Sequence, residues 1–205
     1  MANVSATPSF LHRSPFEGHT LGARPTREGH VAVHIAASML AGVTLVSTWP
    51  TGLTALTEAL SQALGSALPA WTGQTTRTPT GLVMRTGPEE FMIIADQAGS
   101  PSAGSVAISP EIGSVTDLSH ARSRIHIQGD KCLETLSKLF ALDFREAAFP
   151  VGQIRLSGHH HVPCTLHRLG ACEFDLIVFS TYAFDQLATV LDAAREYGVT
   201  LKSTG

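Results

Sequence analysis

Hydrophobic and polar positions along the chain fall into two alternating periods. Val31, Val33 and Ile35 alternate with other residues as a strand does, and Val43, Leu45 and Trp49 extend a second strand-like run that Pro50-Thr51-Gly52 stops. Leu53, Leu56, Leu60 and Leu64 then share one helical face, and Gly65 and Pro69 end it, so a helix is predicted there. Two short strands are predicted near 82–85 and 91–95, joined as a hairpin by a turn at Gly87-Pro88. The next stretch, QAGSPSAGS at 97–105, reads as a flexible loop.

The second half shows the same theme. The segment VTDLSHARSRIHIQG, starting at Val115, reads as strand, tight turn, strand, then the glycine before a helix; Ile125 and Ile127 share a strand face. Gly129-Asp130 is predicted to cap a helix carrying Leu133, Leu136, Leu139 and Phe140. Strands follow near 153–156, 162–168 and 174–179. The last helix takes Ser180 or Thr181 as N-cap and is expected to bury Phe184, Leu187, Ala188, Leu191 and Ala194; Gly198 stops it before a strand at 199–202. The order β-α-β-β-α-β of this half matches a ferredoxin-like split motif, and the first half gives β-α-β-β with the 97–105 loop replacing its second helix. The fold class expected is α+β, with two related ferredoxin-like units forming one body over 31–205, the halves meeting near 105/106. Residues 1–30, with three prolines, three glycines and three histidines, show neither period and read as an extended N-terminal arm.

Composition narrows the function classes. A chain of 205 residues buries roughly 70% of the surface of its unfolded form, enough for a real core. Charged residues make up 15% and hydrophobic ones 43%, against about 25% charged in an average chain, which fits either a generous core or apolar surface facing a partner. A net charge of −3 without any Lys/Arg run argues against nucleic acid and anionic lipid as partners. Cys132, Cys164 and Cys172 are odd in number and lack metal-type spacing, which suits free thiols in a reducing compartment. The N-terminus lacks the basic head and apolar run of a signal peptide, and the most apolar window, 31–46, is broken by His34, Ser38 and Thr44. The cytoplasm is the compartment expected, with no membrane contact.

Candidate chemistry is sparse. His159-His160-His161 is a metal candidate by residue type, but adjacent strand residues face opposite ways, leaving only His159 and His161 to converge. Gly158 suggests a hairpin turn that sets them in solvent. Asp117, Ser119 and His120 contain the residue types of a hydrolytic triad within four positions, whereas a triad aims side chains from separate elements. The expectation is a turn in which Asp117 and Ser119 bond nearby amides. Neither a Rossmann nor a P-loop glycine motif occurs. Glu89-Glu90 sit at a turn and do not converge like a hydrolase pair. Cys164 and Cys172 bracket a predicted hairpin, with buried thiols favoured over a redox pair. Trp49 and Trp71, flanking the first helix, read as core or interface anchors, with the core expected.

Taken together, these motifs resemble the gamma subunit of heterotetrameric sarcosine oxidase, itself similar to the folate-binding domain of the glycine-cleavage T protein. The residues that carry the resemblance are Gly87-Pro88-Glu89-Glu90-Phe91, Asp117-Leu118-Ser119-His120, Gly129, Leu142-Asp143, Phe149-Pro150 with Gly152, His161-Val162-Pro163, Leu166-His167-Arg168 and Phe174-Asp175-Leu176. They run from about Val43 to the C-terminus. The structural signature is thus Gly87, Pro88, Glu89, Asp117, Ser119, His120 and Gly129, with no catalytic, cofactor-binding or metal-binding residue assigned to this chain. The resemblance implies a noncatalytic partner of alpha, beta and delta subunits, with FAD, FMN, NAD, tetrahydrofolate and zinc held by those partners. The acidic folate-site motif of the T protein is absent from this sequence. A free-standing folate binder of T-protein type is the rival reading, and a small metal-binding protein using His159 and His161 is a third.

Overall fold

The computed structural model describes residues 13–98 and 108–203. Among them, twelve strands and three α-helices build two sheets. The first strands are β1 (Gly22–Arg24), β2 (Val33–Met39) and β3 (Val43–Thr48), followed by α1 (Leu53–Leu64). Then come β4 (Thr75–Thr78), β5 (Gly81–Gly87), β6 (Glu90–Ala95) and β7 (Gly113–Asp117). The second half contains β8 (Arg122–Gln128), α2 (Cys132–Leu139), β9 (Ile154–His159), β10 (Val162–Gly170), β11 (Glu173–Phe179), α3 (Ala183–Ala194) and β12 (Val199–Ser203). One sheet has the order β1-β12-β2-β8-β11-β10-β9 and the other β4-β5-β6-β3-β7. Among the described strands, only the β12–β2 pair is parallel.

Four layers result. Helices α2 and α3 cover the outer face of the seven-stranded sheet, where Leu136, Leu187 and Val190 pack with Ile35, Ile125, Phe174 and Leu176. Helix α1 covers the five-stranded sheet through Leu56, Leu60 and Leu64 on Val46, Val83, Phe91 and Ile93. Between the sheets lies a third apolar cluster of Leu40, Val43, Met84, Met92, Ile154 and Ile177. Both faces of the central strands are therefore covered, which accounts for the unbroken apolar runs FMII in β6 and LIVF in β11.

The fold is α+β, and the helix at 53–64 and the hairpin at Gly87–Glu90 stand where the pattern placed them. The division of the chain differs. The predicted boundary near 105/106 does not separate the sheets: β2 pairs with β8 and β12, while β7 pairs with β3. The three strands predicted between α2 and α3 are present, so this half has one strand more than the β-α-β-β-α-β motif it was matched to. The stretch 1–30 was expected as an arm free of this body, yet from residue 13 onward it lies against it. Phe16 is buried in the helix-side core, and β1 pairs with β12. Residues 1–12, and residues 99–105 of the loop expected at 97–105, lie outside the described part. Capping also differs. Asp130 is not the cap of α2, whose N-cap is Lys131, and Ser180 and Thr181 form a 3-10 turn ahead of α3. Neither helix has a side-chain cap bond. The buried stripe of α3 is Ala183, Gln186, Leu187, Val190, Leu191 and Ala194, so Phe184 and Ala188 point away from the core.

Candidate functional site

The chain passes between the sheets through two described crossovers, and the Asp117-Leu118-Ser119-His120 signature forms one of them. The other runs over 40–42 between β2 and β3. Asp117 Oδ1 accepts hydrogen bonds from the Ser119 amide at 2.9 Å and the Ser119 hydroxyl at 2.6 Å. The same hydroxyl oxygen accepts the Val43 amide at 3.0 Å, and the Leu118 amide donates to the Val43 carbonyl at 2.8 Å. Ser119 thus fastens one crossover to the other. Its hydroxyl and amide hold the Asp117 carboxyl below its ordinary range. The turn expected for Asp117 and Ser119 is present. Ser119→Ala leaves the Val43 amide without this acceptor and is expected to cost about 1–2 kcal/mol, read as a lower urea midpoint at unchanged m-value. A midpoint equal to the parent's contradicts the clamp.

The other signature turn is also anchored. Gly87 pairs with Glu90 across the two-residue turn Pro88-Glu89, the Thr86 hydroxyl bonds the Glu90 carboxylate at 2.6 Å, and the Glu89 carbonyl accepts the Thr48 amide at 2.9 Å. Glu89 and Glu90 do not act as a pair.

Beside the 40–42 crossover, the two sheets part to form a pocket of about 540 Å³. Ser38, Arg124, His167, Asp175 and Ile177 line it from the seven-stranded sheet, and Arg77, Leu82, Met84, Ile94 and Asp96 from the five-stranded one. Strand register sets its polar wall. His167 stands opposite Asp175, and Asp175 opposite His126, so all three project from one face. His126 Nδ1 donates to Asp175 Oδ1 at 2.8 Å, and its Nε2 lies 3.5 Å from Glu173. Arg124 reaches Asp175 only at 3.8 Å, while its Nε donates to the Ser38 hydroxyl at 3.3 Å. At the rim, Arg77 pairs with Asp96 at 2.7 Å. A second cleft of about 300 Å³ lies on the other side of Ile177, bounded by Glu90, Arg122, Cys164 and Phe179. Arg122 there stacks over the Phe179 ring at 3.8 Å.

The buried histidines carry opposite electrostatics. His167 and His159 are buried, with His167 Nδ1 and His159 Nε2 unpartnered, and burial pushes both below the ordinary imidazole pKa of 6.5. The hydrogen bond to Asp175 pushes His126 above it. The stability that His159 and His167 contribute is complete above the unfolded value and is lost as pH falls through their folded values. That of His126 is complete below the unfolded value and is lost as pH rises through its folded one. The His159 and His167 contributions change below 6.5 and that of His126 above it, so the chain should lose stability as pH falls from about 6.5 through the folded values of His159 and His167. Urea unfolding across this range should show the loss, and His159→Gln with His167→Gln should flatten it; a stability that rises on acidification contradicts the assignment.

Several expected placements change. His159 does not lie in solvent: it is 1% exposed and bonds Gln186 Oε1 on α3 at 2.6 Å, because it still belongs to β9. His160 and His161 form the turn itself, at φ 48° and 65°. His159 and His161 therefore do not share a face, and no three His, Cys, Asp or Glu side chains among the described residues are grouped to hold a metal ion. Trp49 and Trp71 are 50% and 59% exposed, contrary to the core role expected; Trp49 spends its indole N–H on the Pro110 carbonyl at 2.8 Å. Cys132 and Cys164 are buried free thiols whose pKa burial pushes up to about 12. Cys172 packs at the edge of the helix-side core near Cys132, and Cys164 bonds the Ser157 carbonyl instead. No described helix is long and apolar enough to cross a membrane.

Sequence reasoning missed the roles of Arg124 and Arg168, since a lone arginine in a strand carries no periodic signal. The alternation of Arg122, Arg124 and His126 with buried residues in β8 was the available hint that one face of this central strand is polar.

No protein-family model matches the chain. The sarcosine oxidase subunit gamma of Arthrobacter sp is 29% identical over 207 residues, covering 96% of this chain and 96% of that protein. The subunit gamma of Corynebacterium sp. (strain P-1) is 28% identical over 141 residues, covering 68% of this chain and 70% of that protein. Among solved structures, a chain of the heterotetrameric sarcosine oxidase from Corynebacterium sp. U-96, in complex with pyrrole 2-carboxylate, superposes with a TM-score of 0.75. It is 22% identical and covers 92% of this chain and 97% of that one. The glycine cleavage system aminomethyltransferase T from Bartonella henselae gives a TM-score of 0.54 at 14% identity, covering 86% of this chain and 48% of that one. The chain resembles sarcosine oxidase gamma subunits over nearly its whole length, and its fold is T-protein-like.

Proposed function

We propose that this chain is the noncatalytic gamma subunit of a heterotetrameric, flavin-dependent sarcosine oxidase working in the cytoplasm, needed for the complex to assemble and remain stable. The observation that carries the reading is the end-to-end match to a gamma subunit, 96% of both chains. In this reading alpha, beta and delta subunits hold FAD, FMN, NAD, tetrahydrofolate and zinc. They oxidise the C–N bond of sarcosine, giving glycine with formaldehyde or methylene-tetrahydrofolate and hydrogen peroxide. The residues of this chain serve packing. Exposed apolar side chains support a role at an interface: Trp71, Val151 and Leu156 lie outside the cores, as do Leu21, Tyr182 and Phe184.

Co-expression tests the proposal. Alpha, beta and delta chains produced with this chain should yield a soluble, flavin-coloured complex that turns over sarcosine, and without it the yield of complex should collapse. Equal assembly and turnover in its absence would overturn the role. The folate-binding rival needs an acidic side chain free to reach a pterin. Both carboxylates of the inter-sheet pocket are already engaged, Asp175 by His126 and Asp96 by Arg77. Calorimetric titration of the isolated chain with a reduced folate checks this, and tight binding would favour the rival.

A further inference from the structure

We propose that the pocket between the two sheets binds a small amphipathic monocarboxylate, its carboxylate held by the Arg124 guanidinium and its apolar body lying against Leu82, Met84 and Ile94. This goes beyond the assembly role and does not depend on it.

Arg124 has unspent hydrogen-bonding capacity. A guanidinium has five N–H donors in a planar fork that matches a carboxylate. Arg124 uses Nε on Ser38 at 3.3 Å, and its remaining ion pair with Asp175 is long, at 3.8 Å. Its side chain is 40% exposed and lines the pocket. Every other charged group of the lining has a closer partner: Asp175 has His126 at 2.8 Å, and Arg77 and Asp96 have each other at 2.7 Å. Arg124 is therefore the cation of the lining without a close carboxylate, its nearest being Asp175 at 3.8 Å. His167 adds a buried imidazole held neutral by desolvation, with Nδ1 lacking any partner.

Charge and shape select the class. A dianion such as phosphate meets a single available guanidinium and two nearby carboxylates, so a monoanion suits the wall better. Across from Arg124 the lining is apolar, from Leu82, Met84 and Ile94, with Leu40 and Ile177 at the floor. About 540 Å³ falls within the range of small-molecule sites. An acid with an aryl or alkyl body fits these walls, one end charged and the other dry.

Phenylbutyrate and its neutral isostere phenylbutyramide are suitable probes, titrated calorimetrically into the purified full-length chain at neutral pH and low salt. Phenylbutyrate should bind with a submillimolar Kd and the amide at least about 10-fold more weakly, since only the acid meets the guanidinium as a charge-assisted pair. Arg124→Met should weaken phenylbutyrate by about 10-fold or more and abolish its advantage over the amide. Arg124→Lys, which keeps the charge but loses the fork, should fall between. Leu82→Trp, filling the pocket with Arg124 intact, should also abolish binding, which separates a pocket from a surface arginine. If Arg124→Met does not fold, the lysine and tryptophan variants decide the question. Equal binding of acid and amide, undiminished binding in the Arg124 variants or in Leu82→Trp, or no binding of either probe at millimolar concentration overturns the proposal. The Arg124 variants should still enter the co-expressed complex, so a failed titration leaves the assembly role standing and a failed assembly leaves the pocket standing.

Discussion

Replacing Arg168 by methionine is expected to destabilise the folded chain by on the order of 4 kcal/mol, the largest effect among single substitutions considered. Arg168 is 3% exposed in β10, and its guanidinium is spent entirely on backbone carbonyls. One terminal nitrogen donates to Phe144 at 2.9 Å and Phe149 at 2.7 Å, the other to Ala171 at 3.1 Å, and Nε to Gly170 at 3.1 Å. The Phe144 and Phe149 carbonyls belong to the α2–β9 linker and that of Ala171 to the β10–β11 turn, irregular backbone outside the ladders, while Gly170 ends β10 opposite Glu173 at a register shift. Methionine fills part of the space but removes these donors, and each off-ladder acceptor left unpaired costs about 1–3 kcal/mol if water does not reach it. The guanidinium also lies over the Phe174 ring, which packs edge-on against Phe144 and Phe149. Arg168→Lys should recover only a fraction, because an ammonium cannot span carbonyls on both segments. Urea unfolding measures the loss, and the melting temperature should drop by roughly 8–16 °C for a chain of this size. A loss below about 1 kcal/mol would mean that the carbonyls find other donors.

Gly129→Ala should cost about 3 kcal/mol through a different mechanism. Gly129 has φ +123°, a backbone region that side chains rarely enter, and a Cβ there would lie 2.4 Å from the Ala32 carbonyl oxygen. That carbonyl leads into β2, the strand between β12 and β8, and it accepts the Lys131 amide at 3.3 Å. The Gly129 amide also donates to the Cys172 carbonyl at 3.1 Å and its carbonyl accepts the Cys132 amide at 2.9 Å, so it cannot shift without disturbing the start of α2. Gly152 is the control: its φ is +78° but a Cβ would meet nothing within 4 Å, so Gly152→Ala should cost only about 1 kcal/mol. Equal losses at the two positions, compared by urea midpoints, would show that backbone conformation alone sets the cost and that the contact with β2 does not matter.

Both effects concern residues inside the motifs that gave the chain its resemblance, and the structure explains why such short pieces recur together. Gly129 seats α2 against β2, Arg168 binds the linker that follows α2, and Ser119 ties one sheet-to-sheet crossover to the other. Each is a joint between segments far apart in sequence. Joints tolerate few residue types because their partners are fixed backbone atoms. The Asp117-Ser119 pair holds a turn for the same reason, and the carboxylate, hydroxyl and imidazole types within it are matters of folding.

Much of the fold was legible from local pattern. The helix over Leu53–Leu64, ended by left-handed Gly65, and the two-residue hairpin at Pro88-Glu89 depend on residues within a few positions of each other. Their hydrophobic spacing and turn chemistry are sufficient to specify them. The strands were legible as strands for the same reason, apart from β1 and β4, which are short and carry no apolar alternation. Sheet membership was not legible. Whether β2 joins β3 or β8 and β12 is decided by ladder bonds and burial between residues about 90 to 165 positions apart, as in His34 with Gln128 and Thr200 with His34. Nothing local distinguishes the two outcomes. His159 was misplaced for a related reason: the glycine before it signalled a turn, but the turn begins one residue later, and a single step along a strand moves a side chain from solvent to core. The pocket belongs to this second class as well. By itself the sequence determined helices, hairpin turns and the signature of a fold, because short-range periodicity and backbone preference act within one segment. Only the tertiary structure decided that His167, Asp175 and Arg124 share a wall facing Leu82 and Met84, because strand register and the packing of one sheet on another are set by contacts across the whole chain.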